Sequence, residues 1–325
     1  SSDPHLLRSA NSNQKMSSPI LLGICNPLLD ISAPVPNDLL TKYGLQPSSA
    51  CLAEERHLPL YPELVKDYPV EYIAGGAGQN SIRAAQWMLG QPGATAYIGC
   101  IGKDQYGKIL RTEAENDGVT VHYLEDEATP TGTCAVLITD KDRSLVANLA
   151  AANCYKKDHF DSPAIQEVVS KVEYIYITGF FVTVSVDTIL AAAELAVQHN
   201  KVFMMNLSAP FLLDFFWDEK FEKLLPYVDV LFGNESEAAA LAKRLGCSDD
   251  AKEVAQKAAA LPKVNGKRDR MVIITQGSKS TVVAYKGEVK EFAVPAVPAE
   301  EIVDLNGAGD SFVGGFLAKF TQNKS

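Results

Sequence analysis

Asp304-Leu305-Asn306-Gly307-Ala308-Gly309-Asp310 holds the residue types that phosphoryl transfer needs. Gly307, Ala308 and Gly309 carry almost no side chain, so their backbone N–H groups can face a ligand directly. A helix starting behind such a turn adds its positive end and makes an anion site. A carboxylate at Asp310 would repel a resting anion. It has a use if it takes a proton from a nucleophile while the anion is being transferred. The plainer use of the same residues is a helix N-cap after a Gly turn. The stretch follows Glu301-Ile302-Val303, read as a strand end, and leads into Phe312–Ala318, read as a helix entering the core.

Other polar residues also stand just past apolar runs. Ile20–Cys25 reads as a buried strand that Pro27 stops, leaving Asn26 and Asp30 at its C-terminal end. Open α/β sheets bind ligands at that end, although a Pro turn with a solvated Asp would look the same. Val70–Ala74 alternates like a strand and runs into Gly75-Gly76-Ala77-Gly78-Gln79-Asn80. A helix follows, with Ile82, Ala85 and Leu89 on one face. Gly76 suits close backbone approach to a ligand, and Asn80 can cap the helix or aim its amide outward. The GxGxxG spacing of a dinucleotide site and the GK[ST] of a P-loop are both missing. Asn234-Glu235-Ser236-Glu237 fits a cap with a reciprocal Glu, or a Glu237 that orders waters around Mg²⁺. Thr275-Gln276-Gly277 is a strand-to-Gly turn that can add a phosphate contact. Phe180-Phe181 and Pro210-Phe211 each follow a strand and can stack on a base or simply pack.

The elements that must position these groups alternate. Strands at 94–102, 173–178, 201–206, 228–232 and 271–276 are interleaved with helices at 105–117, 185–199, 218–225, 234–245 and 250–261. That order predicts an α/β fold with a mostly parallel sheet and helices on both faces. All the polar strand ends then fall on one edge. Strands 281–285 and 288–292 follow, joined at Lys286-Gly287. Two β-rich segments, 28–75 and 119–150, interrupt the pattern and are expected to pack as antiparallel strands into a small lid. Within them, 31–70 is proline-rich and reads as short strands and loops, and Asp140–Arg143 reads as a hairpin turn.

Composition removes several function classes. The chain has 325 residues, 46% hydrophobic, and a net charge of −10. That is enough for a sizeable core. Nucleic acid and anionic membrane are poor partners for such a charge. Six scattered cysteines form no CxxC, which points to a reduced, intracellular protein without a disulfide framework, and five histidines show no metal-ligand spacing. No apolar run reaches the ~18 residues of a membrane span. Residues 1–15 read as a tag or disordered tail before Met16, leaving 16–325 as the large domain that the lid segments interrupt.

With these residues in view, the chain resembles the ribokinase-like family of small-molecule kinases. The matching stretches are Gly23–Ala33, Gly75-Gly76 with Gln79-Asn80-Ser81, Thr131–Ala135, Arg143–Leu145 with Ala147–Asn153, Gly179-Phe180-Phe181, Asn206–Phe211, Phe232–Glu235 with Glu237, and Asn306–Asp310, in the family's order. Asn-Pro-Leu-Leu-Asp and Asn-Leu-Ala-Ala-Ala-Asn point to its adenosine-phosphorylating branch. The resemblance implies ATP-dependent phosphorylation of the adenosine 5′-hydroxyl to give AMP, by a monomer that is cytoplasmic and in part nuclear. It makes Asp310 the base, Gly307, Ala308 and Gly309 the anion hole, and Arg143 a cation that swings in from the lid. Asp30 would hold the ribose hydroxyls, with Gly76, Asn80 and Asn306 nearby. Asn26, Leu28, Cys134, Leu145, Phe181 and Phe211 would line the nucleoside pocket. Asn234, Glu237, Thr275 and Gly277 would serve ATP and Mg²⁺, with Glu237 acting through water. It further implies K⁺ beside the anion hole, where Leu305 stands in place of the family's Thr. A sugar kinase or another nucleoside kinase of this fold, or a nucleoside-binding protein without catalysis, are the alternatives.

Overall fold

The computed structural model describes residues 18–47, 49–139, 142–298, 301–302 and 305–323. Its strands are β1 Leu21–Ile24, β2 Leu28–Pro34, β3 Ala50–Leu52, β4 Glu71–Gly75, β5 Thr95–Gly102, β6 Thr120–Asp126, β7 Thr133–Thr139, β8 Asp142–Asn148, β9 Tyr174–Thr178, β10 Val202–Asn206, β11 Val230–Asn234, β12 Met271–Gln276, β13 Lys279–Tyr285 and β14 Glu288–Phe292. They form a nine-stranded sheet in the order β14-β13-β12-β11-β10-β9-β1-β5-β6 and a five-stranded one in the order β3-β8-β7-β2-β4. In the larger sheet every pairing from β12 to β6 is parallel, and β13 and β14 are antiparallel at one edge.

The central strands are continuous apolar runs because both faces of the sheet are covered. Leu22, Ile24, Ile98, Ile175, Ile177 and Met205 face one core with Ile165, Ile189, Ala192 and Leu241 from helices Pro163–Lys171, Val186–Gln198 and Glu235–Leu245. Leu21, Tyr97, Tyr176, Met204 and Phe232 face the other, with Ile82 of helix Ala77–Leu89 and Val313 and Leu317 of helix Ala308–Gln322. Each such side chain stabilises the fold by about 1.5–3 kcal/mol when fully buried. The last two helices lie in close contact. A Cβ on Gly314 would stand 2.5 Å from the Ala84 Cβ and 2.6 Å from the Ser81 carbonyl oxygen. Asn80 also meets Asp310, so the two helices run side by side and their N-termini converge.

Several expectations change. Val119–Tyr123 is expected in the lid, but β6 pairs in parallel with β5 and closes the edge of the larger sheet. Val121 and Tyr123 are buried there, which a detached lid strand would not allow. The smaller sheet is also mixed rather than antiparallel, since β2 pairs with β7 and β3 with β8 in parallel. Within 31–70 two helices appear, Asn37–Tyr43 and Leu60–Asp67. Pro36 and Pro59 sit immediately before them, where proline starts a helix rather than breaking one. Leu39, Leu40, Leu60 and Leu64 pack them on one face of the smaller sheet. Helix 218–225 begins earlier, at Pro210, and passes through a π turn at Trp217–Phe221. The expected strand end at 301–303 is absent over 301–302, and 293–298 has no regular structure. Pro295 and Pro298 offer no N–H to a ladder. Residues 1–15, Val303, Asp304, and Asp140 and Lys141 of the hairpin turn lie outside the described residues.

Candidate active site

The smaller sheet and the C-terminal edge of the larger one enclose a cavity of about 510 Å³. The loop after β1 brings in Asn26, which is 5% exposed and has no hydrogen-bond partner among the described residues on either side-chain atom. A buried amide without partners costs about 1–3 kcal/mol, so the site is built for a polar ligand or water. β2 then carries Leu28 and Asp30 along the wall, beside Cys134 on β7 and across from Leu145 on β8. Burial and the negative charge of Asp310 push the Asp30 carboxyl up to about 7, against the pull of Arg143 and Arg83.

Gly76 closes the same wall. It has φ +91, and a Cβ there would come within 2.4 Å of the Asn26 carbonyl oxygen, so no other residue fits without moving β1's exit. It also caps helix Ala77–Leu89, which leaves Asn80 free of capping duty. Asn80 Nδ2 instead donates to Asp310 Oδ2 at 3.1 Å, across 230 residues of sequence.

Asp310 sits in the first turn of helix Ala308–Gln322, behind Gly307 at φ +70. Burial raises its carboxyl to about 6, and the Asn80 hydrogen bond partly offsets this. Two helix N-termini therefore meet where a half-buried carboxylate stands, and first-turn N–H groups lack intrahelical acceptors. Ala308 N–H is an exception, turned back on the Leu305 carbonyl at 3.3 Å. Asn306 borders the main cavity. Gly309 and Asp310 also border a neighbouring chamber of about 190 Å³, together with Asn234, Glu237 and Thr275. There the capping reading of Asn234 and Glu237 holds. The capping box forms, with Asn234 N–H on Glu237 Oε2 and Asn234 Nδ2 on Oε1, both at 3.0 Å. Burial also lifts Glu237 to about 7. No cluster of three or more His, Cys, Asp or Glu suited to a metal occurs among the described residues. Glu237 keeps lone pairs for water, which suits Mg²⁺ that retains its own waters and a phosphate ligand.

The structure does not gather every expected residue. Phe181 is fully buried and packs edge-on against Tyr155, 5.4 Å between centroids. Phe180 takes its place on the cavity wall and faces Phe211 at 6.5 Å. The 3₁₀ turn at Gly179–Thr183 sends consecutive side chains in different directions, and sequence alone does not show which one turns in. Gly277 lies in the β12–β13 turn and borders neither chamber. Arg143 is also outside the main cavity. It reaches Ser32 Oγ at 3.5 Å and lines an adjoining cleft with Asp30, Asn80, Arg83 and Gly307. Leu305 is 68% exposed and has no side-chain oxygen for K⁺. Ser208 and Thr183, which sequence reasoning passed over, both line the main cavity. No local pattern marks Ser208, because what sets it apart is a left-handed backbone, φ +73.

The model of the pfkB family of carbohydrate kinases matches residues 38–325. Adenosine kinase 2 of Arabidopsis thaliana is 52% identical over 94% of this chain and 89% of its own length. Adenosine kinase of Dictyostelium discoideum is 46% identical over 95% and 90%. Among solved structures, Anopheles gambiae adenosine kinase in complex with P1,P4-di(adenosine-5) tetraphosphate superposes with a TM-score of 0.91 at 50% identity, covering 94% of this chain and 90% of that one. Schistosoma mansoni adenosine kinase with adenosine in an occluded loop conformation gives 0.89 at 34%, covering 96% and 91%.

Proposed function

The chain belongs to the pfkB family of carbohydrate kinases, and from that premise we propose that it transfers the terminal phosphoryl group of ATP to the 5′-hydroxyl of adenosine, giving AMP and ADP. The observation that carries the chemistry is the meeting of Asn80 and Asp310 at two converging helix N-termini. Asp310 takes the proton from the 5′-hydroxyl as that oxygen attacks the phosphorus. With its carboxyl lifted to about 6, it is ionised at neutral pH yet basic enough for the task. Asn80 fixes the carboxylate's orientation. The N–H groups of Gly307 and Gly309 receive the charge on the transferred phosphoryl oxygens, joined by that of Ala308 once it leaves the Leu305 carbonyl.

Asp30 accepts the ribose 2′- and 3′-hydroxyls, with Gly76 giving the backbone room beside it. Asn26, Leu28, Cys134, Leu145, Phe180 and Phe211 hold the base. The 190 Å³ chamber, with Asn234, Glu237 and Thr275, takes the phosphate side of ATP. Glu237 would hold Mg²⁺ there through water, and the ion would supply positive charge against the phosphates. The smaller sheet acts as a lid, bringing Arg143 toward the phosphates and excluding water so that ATP is not spent on hydrolysis. No described helix is long and apolar enough to cross a membrane.

The test is ADP release measured side by side with adenosine, 2′-deoxyadenosine, inosine and ribose. Adenosine should turn over fastest. 2′-Deoxyadenosine should lose about 10–100-fold in kcat/KM, because one of two hydrogen bonds to a buried carboxylate is gone. Faster turnover of ribose than of adenosine would assign a sugar kinase instead.

A further inference from the structure

Ser208 occupies a backbone conformation that glycine adopts freely and serine does not, φ +73. It is placed between the two loops that carry the aromatic wall. Its Oγ accepts the N–H of Gly179 at 2.9 Å and donates to the Asn206 carbonyl at 3.2 Å. A hydroxyl has one donor and two acceptor sites, so this one is in use on both sides. Its backbone N–H donates to Asn206 Oδ1 at 2.9 Å and also helps hold down the Glu237 carboxyl. The loops touch at this point. A Cβ on Gly179 would stand 2.4 Å from the Leu207 carbonyl oxygen. Phe180 follows Gly179 directly, and Phe211 comes three residues after Ser208. Both rings and Ser208 border the main cavity, and Phe180 and Ser208 border the phosphate-side chamber as well.

We infer that Ser208 is a positioning residue for nucleoside specificity. Its hydroxyl ties the β9 exit to the β10 exit and so sets the spacing of Phe180 and Phe211, while its backbone N–H separately serves Glu237. A residue held in strained backbone where glycine would rest easily is kept for its side chain, and the hydroxyl's two bonds supply the reason. The two duties come apart experimentally, because Ser208→Gly removes only the first.

This inference rests on the adenosine reading, and the experiment separates the two. Adenosine binding by calorimetry and steady-state kinetics are measured for the parent, Ser208→Gly and Ser208→Thr. In Ser208→Gly the adenosine Kd and KM should rise about tenfold, the scale of one lost buried hydrogen bond. Its kcat and KM for ATP should stay within twofold, and its Tm should not fall, since glycine relieves the backbone. Ser208→Thr restores the hydroxyl and should recover most of the adenosine affinity. An unchanged adenosine Kd in Ser208→Gly overturns the inference, as does a rise in the ATP KM as large as that for adenosine. A parent that binds adenosine but releases no ADP overturns the catalytic reading and leaves the comparison of binding constants to decide on Ser208.

Discussion

The two ends of the large sheet hold similar numbers of charged groups and treat them in opposite ways. At the N-terminal ends of β10 to β12, around a cleft of about 660 Å³, every buried charge has partners. Asp229, 3% exposed, accepts from Lys263, from Arg268 at 3.2 Å and from the Phe203 N–H at 3.0 Å. Arg270, 1% exposed, spreads its guanidinium over the carbonyls of Leu225, Val228, Ala258, Leu261 and Pro262 at 2.6–3.1 Å. At the C-terminal side stand Asp310, Glu237 and, from the smaller sheet, Asp30, all with raised pKa, and Asn26 with no partner among the described residues. The buried charges beside the larger cleft are matched by one another and by backbone groups. The smaller cavity holds the unsatisfied chemistry. Cavity size is therefore a poor guide to the site here, and leftover polar capacity is a good one.

The largest expected effect lies at the C-terminal end. Asp310→Asn keeps the shape and the Asn80 contact but cannot take a proton. It should lower kcat by at least about a thousandfold while adenosine still binds. In the parent, kcat should fall about tenfold per pH unit below pH 6 as Asp310 becomes protonated, and the residual rate of Asp310→Asn should lack that limb. Near-parent turnover by Asp310→Asn would remove the base assignment and with it the contrast between the two ends.

The next effect breaks the other end. Arg270→Met keeps much of the volume but removes the donor that five carbonyls share, of which Leu225 and Ala258 each keep one backbone N–H. Unfolding in urea should show a loss of about 3–5 kcal/mol, with the KM for adenosine unchanged in the protein that remains folded. A loss under about 1 kcal/mol would mean that water reaches those carbonyls and that this end is not closed.

How much of this was readable beforehand follows the same division. Gly307–Asp310 and Gly76 were legible because their roles are local, a turn that needs small residues and a helix start. The strands of the large sheet were legible because burial on both faces writes a continuous apolar run. Contacts made across the chain left no such mark. Lys263 and Arg268 reach Asp229 over 34 and 39 residues, and β6 was put in the wrong sheet because its partner, β5, is set by the tertiary fold. Phe181 was chosen over Phe180 because the rotation of a single 3₁₀ turn decides between them. The helices at 37–43 and 60–67 are seven and eight residues long, too short for periodicity to show through flanking prolines. Ser208 escaped because its left-handed backbone comes from tertiary contacts.

The smallest effect sharpens the comparison most, because it predicts opposite signs for one kind of substitution. Burial raises Asp310 from 3.8 to about 6 and, helped by the charge on Asp310, raises Asp30 from 3.8 to about 7. Between pH 4 and 7 the folded chain then binds more protons at these positions than the unfolded chain. Stability must fall as pH rises through that window and level off above it. Replacing either carboxylate by its amide removes the penalty, so Asp310→Asn and Asp30→Asn should each stabilise the protein at pH 8 by about 1–2 kcal/mol. The gain should vanish below about pH 3, where both states hold the proton. Asp229→Asn, at the other end, removes a charge that Lys263 and Arg268 require and should destabilise at pH 8. Because Asp310 is one cause of the shift on Asp30, the double variant Asp30→Asn with Asp310→Asn should gain less than the sum of the two single changes. Full additivity in urea unfolding at pH 8 would show that the two carboxylates do not feel each other. The raised values would then belong to burial alone, and the active end would differ from the closed end in its lack of partners but not in like-charge repulsion.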